Sequence, residues 1–198
     1  MTEINLLTKY DSSNHSTTLA AIAALDDRIA RLEQLIQASQ LGLGDPPVHR
    51  TIYCNTGNGS LWYFWDGGEN KAIPIEAKSI TGFVKELKFE ASEYKDKETK
   101  NMKLTLDCGR QKFTLSAGHQ SVFATCIYLA LGAMTANQLR QPITILPKAG
   151  TTEEKALLPT IWINGEFFEC PPFSKERKQV KQAYFRAIAT IQEVNSHG

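Results

Sequence analysis

Apolar and polar side chains alternate along residues 79–168 in a way that cuts the chain into six segments. These are Ser79 to Tyr94, Asn101 to Asp107, Gln111 to Ala117, Ser121 to Met134, Pro142 to Lys148 and Pro159 to Phe168. Five of them have a period of two and predict half-buried strands; Ser121 to Met134 is apolar on nearly all sides and predicts a buried helix. The first segment changes parity, with Ile80, Gly82 and Val84 on even numbers and Leu87, Phe89 and Ala91 on odd ones. A strand cannot do this without an extra residue, so a bulge is expected near Lys85 and Glu86. Asn164-Gly165 reads as a tight hairpin turn.

The flanks carry their own patterns. Ser16 is a candidate N-cap, and Ile22, Leu25, Ile29, Leu32 and Ile36 then recur at alternating spacings of three and four. Isoleucine at a and leucine at d favour a parallel two-stranded coiled coil. The helix either self-associates or packs within the chain or on a partner protein. Two short strands, Arg50 to Asn55 and Ser60 to Trp65, follow around a Gly/Asn turn, and the second holds the aromatic run Leu61-Trp62-Tyr63-Phe64-Trp65. Beyond Cys170-Pro171-Pro172-Phe173, Ser174 opens a closing helix with Val180, Tyr184, Ile188 and Ile191 on its apolar stripe.

Three strands, a helix and two strands is the element order of the oligonucleotide-binding barrel. The expected fold is therefore α+β, mainly β: a five-stranded barrel of this type with an internal helix, preceded by a helix and an aromatic hairpin and followed by a C-terminal helix. The expected divisions are 1–47 (leader, amphipathic helix and linker), 48–173 (barrel with its N-terminal hairpin) and 174–198 (basic helix).

Charge changes this picture only locally. The chain has 22 basic and 21 acidic side chains among 198 residues, so no global field announces a partner. Lysines do cluster, however. Lys95, Lys97 and Lys100 crowd the first hairpin, Lys103 and Lys112 project from the wet face of adjacent strands, and Arg110 lies in the connection between them. Lys175, Arg177, Lys178, Lys181 and Arg186 face only Glu176 in the last helix, and cations in a first turn oppose the helix dipole. Trp162 lies with Thr160 and Asn164 on the polar side of its strand, and Tyr94 and Trp62 are further candidates for stacking on bases.

Catalytic signatures are missing from the sequence. It has no Gly-rich phosphate loop, no His-x-Glu or zinc spacing and no paired carboxylates placed by motif, and His119 and Cys126 lack a third orienting group. Neither a metal nor a cofactor is expected. Cys54, Cys108, Cys126 and Cys170 form no Cys-x-x-Cys pair and read as thiols of a reducing compartment. With no signal peptide and no run near the ~20 apolar residues of a membrane span, a cytoplasmic protein is the expectation.

Ile80-Thr81-Gly82-Phe83-Val84 with the charged hairpin, Met102-Lys103-Leu104-Thr105-Leu106-Asp107, Gln141-Pro142-Ile143-Thr144-Ile145 and Thr160-Ile161-Trp162-Ile163-Asn164-Gly165-Glu166 together resemble small phage-type and plasmid-type single-stranded DNA-binding proteins. The resemblance spans residues 66–168. It implies a non-catalytic protein of replication, recombination or mobile elements that holds single strands through its lysines and Trp162. The heptad helix and the basic C-terminal helix depart from that pattern, and no acidic tail ends the sequence. A structural or adaptor protein, docking on a larger assembly through the barrel and the heptad helix, is the rival expectation.

Overall fold

The structure, a computed structural model, describes residues 18, 20–29, 31, 49–94, 97–109, 111–150 and 156–196, with the side chains of 92–98 outside the description. The chain divides into two units, Met1–Pro46 and Pro47–Gly198. In the first, residues 20–29 are helical (α1), as are 18 and 31, and Ile22, Leu25 and Ile29 are each about half exposed. Leu32 and Ile36 lie outside the described residues.

In the second unit the period-two segments become strands of one open sheet. They are β1 (His49–Tyr53), β2 (Tyr63–Asp66), β3 (Lys71–Pro74), β4 (Ile80–Tyr94), β5 (Lys97–Asp107), β6 (Lys112–Gly118), β7 (Ile143–Ala149), β8 (Leu157–Ile163) and β9 (Glu166–Phe168). Their spatial order is β3-β2-β1-β6-β5-β4-β7-β8-β9, and only β1 and β6 run parallel. Register along β4 and β5 shifts between Val84 and Glu86, where the parity change in the sequence puts the extra residue.

The closed five-stranded barrel is not what forms. Closure would need the outer edges of β6 and β8 to pair with each other, and both are occupied. β1 adds to β6 from His49↔Lys112 to Tyr53↔Ser116, and the Cys54 N–H extends this ladder by donating to the Ser116 carbonyl at 2.8 Å. On the other side Asn164 and Gly165, at φ 49° and 84°, make the left-handed two-residue turn that folds β9 onto β8. An edge whose N–H and C=O groups are already paired has nothing left to close with.

Helices α2 (Val122–Ala133), α3 (Ala136–Leu139) and α4 (Arg177–Ser196) complete the unit. Ser121 caps α2 by accepting from the Ala124 N–H at 3.2 Å. Four residues are too few for α3 to show a helical period, but its start is a capping box, with Thr135 and Gln138 each accepting from the other's backbone N–H. Met102, Leu104, Leu106 and Leu115 point inward with Ile52, Val84 and Leu87, and α2 and α4 contribute Phe123, Ile127, Tyr184 and Ile191 to the same core. Among the described residues no helix is long and apolar enough to cross a membrane.

One core group is poorly served. The Tyr128 hydroxyl is buried with no hydrogen-bond partner among the described residues, beneath the rings of Phe89 and Tyr184. Burial pushes its phenol well above the ordinary tyrosine range. Removing an unsatisfied buried hydroxyl regains its desolvation cost, so Tyr128→Phe should stabilise the protein by about 1 kcal/mol. A urea melt checks this, and a destabilised variant would show that the hydroxyl has a partner.

Candidate nucleic-acid interface

Strand pairing brings one row of side chains to the face opposite the helices: Tyr63, Tyr53, Ser116, Lys103 and Lys88 occupy successive partner positions across β2, β1, β6, β5 and β4. The rings of Tyr53 and Tyr63 stack at 5.5 Å and 16°, and the Asn55 side-chain amide donates to the Tyr63 hydroxyl at 3.0 Å. The Lys103 ammonium reaches to 5.9 Å over the Tyr53 ring and lies 3.3 Å from the Glu90 carboxylate. One row along, His49 Nε2 and the Thr105 hydroxyl both meet the Thr114 hydroxyl, at 2.7 and 3.0 Å.

At one end of this face a groove of about 1040 Å³ opens between the β1–β2 hairpin, the β5 start and the turn into α2. Tyr53, Tyr63 and Trp65 give it three aromatic walls, and Lys100 and His119 its basic groups. No carboxylate lies among the described residues that line it. His119 is fixed twice on Lys100, its backbone N–H donating to the Lys100 carbonyl at 2.9 Å and its ring Nδ1 at 3.0 Å. Since a carbonyl only accepts, Nδ1 carries the proton. On β4, by contrast, charge is compensated: Glu86 sits 2.9 Å from Lys88 and holds that ammonium above the ordinary lysine range. At the groove Lys100 has no carboxylate beside it among the described lining residues.

The residues singled out from the sequence are dispersed. Trp62 is 3% exposed and its indole N–H donates to the Ala77 carbonyl at 3.0 Å, leaving no open ring face for a base. It precedes β2, so strand alternation does not extend to it, and Trp65, 46% exposed, is the tryptophan of this hairpin at the groove. Lys103 is not a lining residue of the groove; it reaches over the Tyr53 ring, with its side chain 14% exposed. Lys112 is exposed on the same face, opposite Asp107 and His49. Trp162 is half-buried away from the groove, edge-on to Phe167 at 6.3 Å and in register with Thr144. Lys178 and Lys181 are exposed on α4. Lys95 and Arg110 lie outside the described residues, as do the side chains of Tyr94 and Lys97.

The groove's own Tyr53, Tyr63 and His119 were not among the candidates. Tyr63 and Trp65 share a strand face by alternation, but both faces of that run are bulky, and only the pairing of β1 with β6 decides which is covered. Cys126 is no partner for His119: burial, and secondarily the neighbouring Cys170, push its thiol up to about 11, so it stays protonated at neutral pH. Among the described residues no group of three or more His, Cys, Asp or Glu is placed to hold a metal ion. No protein-family model matches the sequence, and no curated protein or solved structure matches it either.

Proposed function

We propose that this chain is a non-catalytic single-strand nucleic-acid binder, and that the groove beside Tyr53, Tyr63 and Trp65 is where the strand lies. The observation that carries this is the coincidence, in one groove, of three aromatic rings, Lys100 and His119, with no carboxylate among the described residues that line it. Aromatic faces accept any base and cations follow the phosphates, so together they suit a strand whose bases are unpaired. The sequence resemblance to single-stranded DNA-binding proteins favours DNA and a place in replication or recombination. In the first unit, the half-exposed Ile22, Leu25 and Ile29 favour an additional protein contact, with a second copy or an assembly partner.

Fluorescence anisotropy with labelled single- and double-stranded oligonucleotides at stepped salt tests the proposal. Single strands should bind preferentially, and for short strands that fill only the groove log affinity should fall with log salt at a slope of about 1.4, ~0.7 for each of two phosphates met by Lys100 and by Lys103 over Tyr53. Salt-independent affinity, or equal affinity for duplex, would remove it. Glu90 competes with phosphate for Lys103. Glu90→Gln should therefore tighten single-strand binding by about two- to fourfold, a modest gain because the pair is partly screened by solvent. Weaker binding by this variant would mean that Glu90 positions Lys103 for the strand instead of competing for it.

A further inference from the structure

From the groove, a continuous chain of rings leads round the end of the sheet to α4. His119, which lines the groove, meets Phe89 edge-on at 5.8 Å. Phe89 stacks on Tyr184 at 4.1 Å, Tyr184 touches Phe185 at 5.4 Å, and the Lys181 ammonium sits 5.8 Å over the Phe185 ring. Phe89 is 38% exposed and Phe185 56%, and the buried Tyr184 ring between them holds the two exposed rings on either side of it.

The outer face of α4 has an unusual composition. Lys178, Lys181, Gln182, Phe185 and Arg186 fall at i, i+3, i+4, i+7 and i+8, one stripe of a helix whose opposite stripe of Tyr184, Ala187 and Ile191 is buried. Lys178, Lys181 and Arg186 make no ion pair among the described residues, and no acidic residue occurs in α4 before Glu193. Cations near a helix N-terminus weaken the helix, and an exposed phenylalanine gains nothing from water. A ligand that is both anionic and aromatic accounts for both.

We infer that the strand does not end in the groove but continues past His119 and Phe89 onto Phe185, Lys181 and Lys178, so that α4 is the second half of one extended single-strand site. The inference rests on the groove being a single-strand site. It commits to a nucleic-acid strand over an anionic membrane because the ring contacts join the helix face to the groove.

Its test uses the full chain with Lys178→Gln, Lys181→Gln and Phe185→Gln combined, all at exposed positions, checked by circular dichroism and melting. Fluorescein-labelled oligothymidylates of about 4, 8, 12 and 16 nucleotides, spanning the site sizes of single-strand binders, are titrated by anisotropy. Affinity of the unmodified chain should rise with length. The triple variant should bind the shortest oligonucleotide as before and the longest about tenfold or more weakly. Equal loss at every length, or no loss at any length, would each overturn the inference while leaving the groove intact. So would an unchanged long-oligonucleotide affinity together with lost binding to phosphatidylserine-containing vesicles, which would reassign the helix face to membranes. If the unmodified chain does not bind even the shortest oligonucleotide and Trp65→Ala changes nothing at any length, the groove itself fails and the inference falls with it.

Discussion

Gly132→Ala should lower the stability of this protein by about 2 to 3 kcal/mol. A Cβ at Gly132 on α2 would stand 2.5 Å from the Ala183 carbonyl oxygen and 2.8 Å from the Ala183 Cα on α4. Both are backbone atoms, so no rotamer change relieves the overlap and the two helices must separate. Overpacking of this kind costs typically 1–3 kcal/mol, and more where backbone has to move. Alanine's advantage over glycine inside a helix returns only ~1 kcal/mol, so the steric cost prevails. In a unit of this size about 2–3 kcal/mol corresponds to a Tm lower by roughly 4–12 °C. Thermal and urea melts check it, and an unchanged Tm would mean that α2 and α4 are not in backbone contact. The same packing fixes the helix that carries Phe185 and Lys181.

Trp65→Ala should weaken single-strand binding about tenfold or more with little change in the melt. A stacked base is worth ~1–3 kcal/mol by alanine substitution, and 1.4 kcal/mol is a factor of ten. Trp65 is half exposed at the groove, so its removal costs the core little. Trp62→Ala supplies the contrast, because that ring is buried and hydrogen-bonded to the Ala77 carbonyl; it should cost about 3–5 kcal/mol of stability. Trp162→Ala provides a second comparison. If Trp162→Ala lowers affinity while Trp65→Ala does not, the strand runs over the β7–β8 face and the groove is not its site.

Much of this architecture was legible in the linear pattern. Parity along Ile80 to Ala91 placed the bulge, Ser121 marked the start of the buried helix, and Asn164-Gly165 marked the turn before β9. Each of these signals is local: a side-chain period, a cap and a pair of positive φ angles are properties of a few adjacent residues. The candidate site was much less legible. Lys103 was recognisable as a wet-face lysine, but Glu90 meets it only through the pairing of β5 with β4, and Tyr53 only because β1 pairs with β6 on the other side.

By itself the sequence determined the long strands and the helices α2 and α4, where β4 bends, and which face of β5, β6 and β7 is apolar. Tertiary structure alone decided that the sheet stays open and that Trp65 rather than Trp62 reaches the groove. The physical reason is the same in both cases. Sheet edges pair through backbone N–H and C=O groups that are nearly identical at every residue, so the pattern of side chains carries little information about which edge meets which. Once His49–Tyr53 takes the edge of β6, barrel closure is lost, Tyr53 comes to lie beside Lys103, and the groove exists.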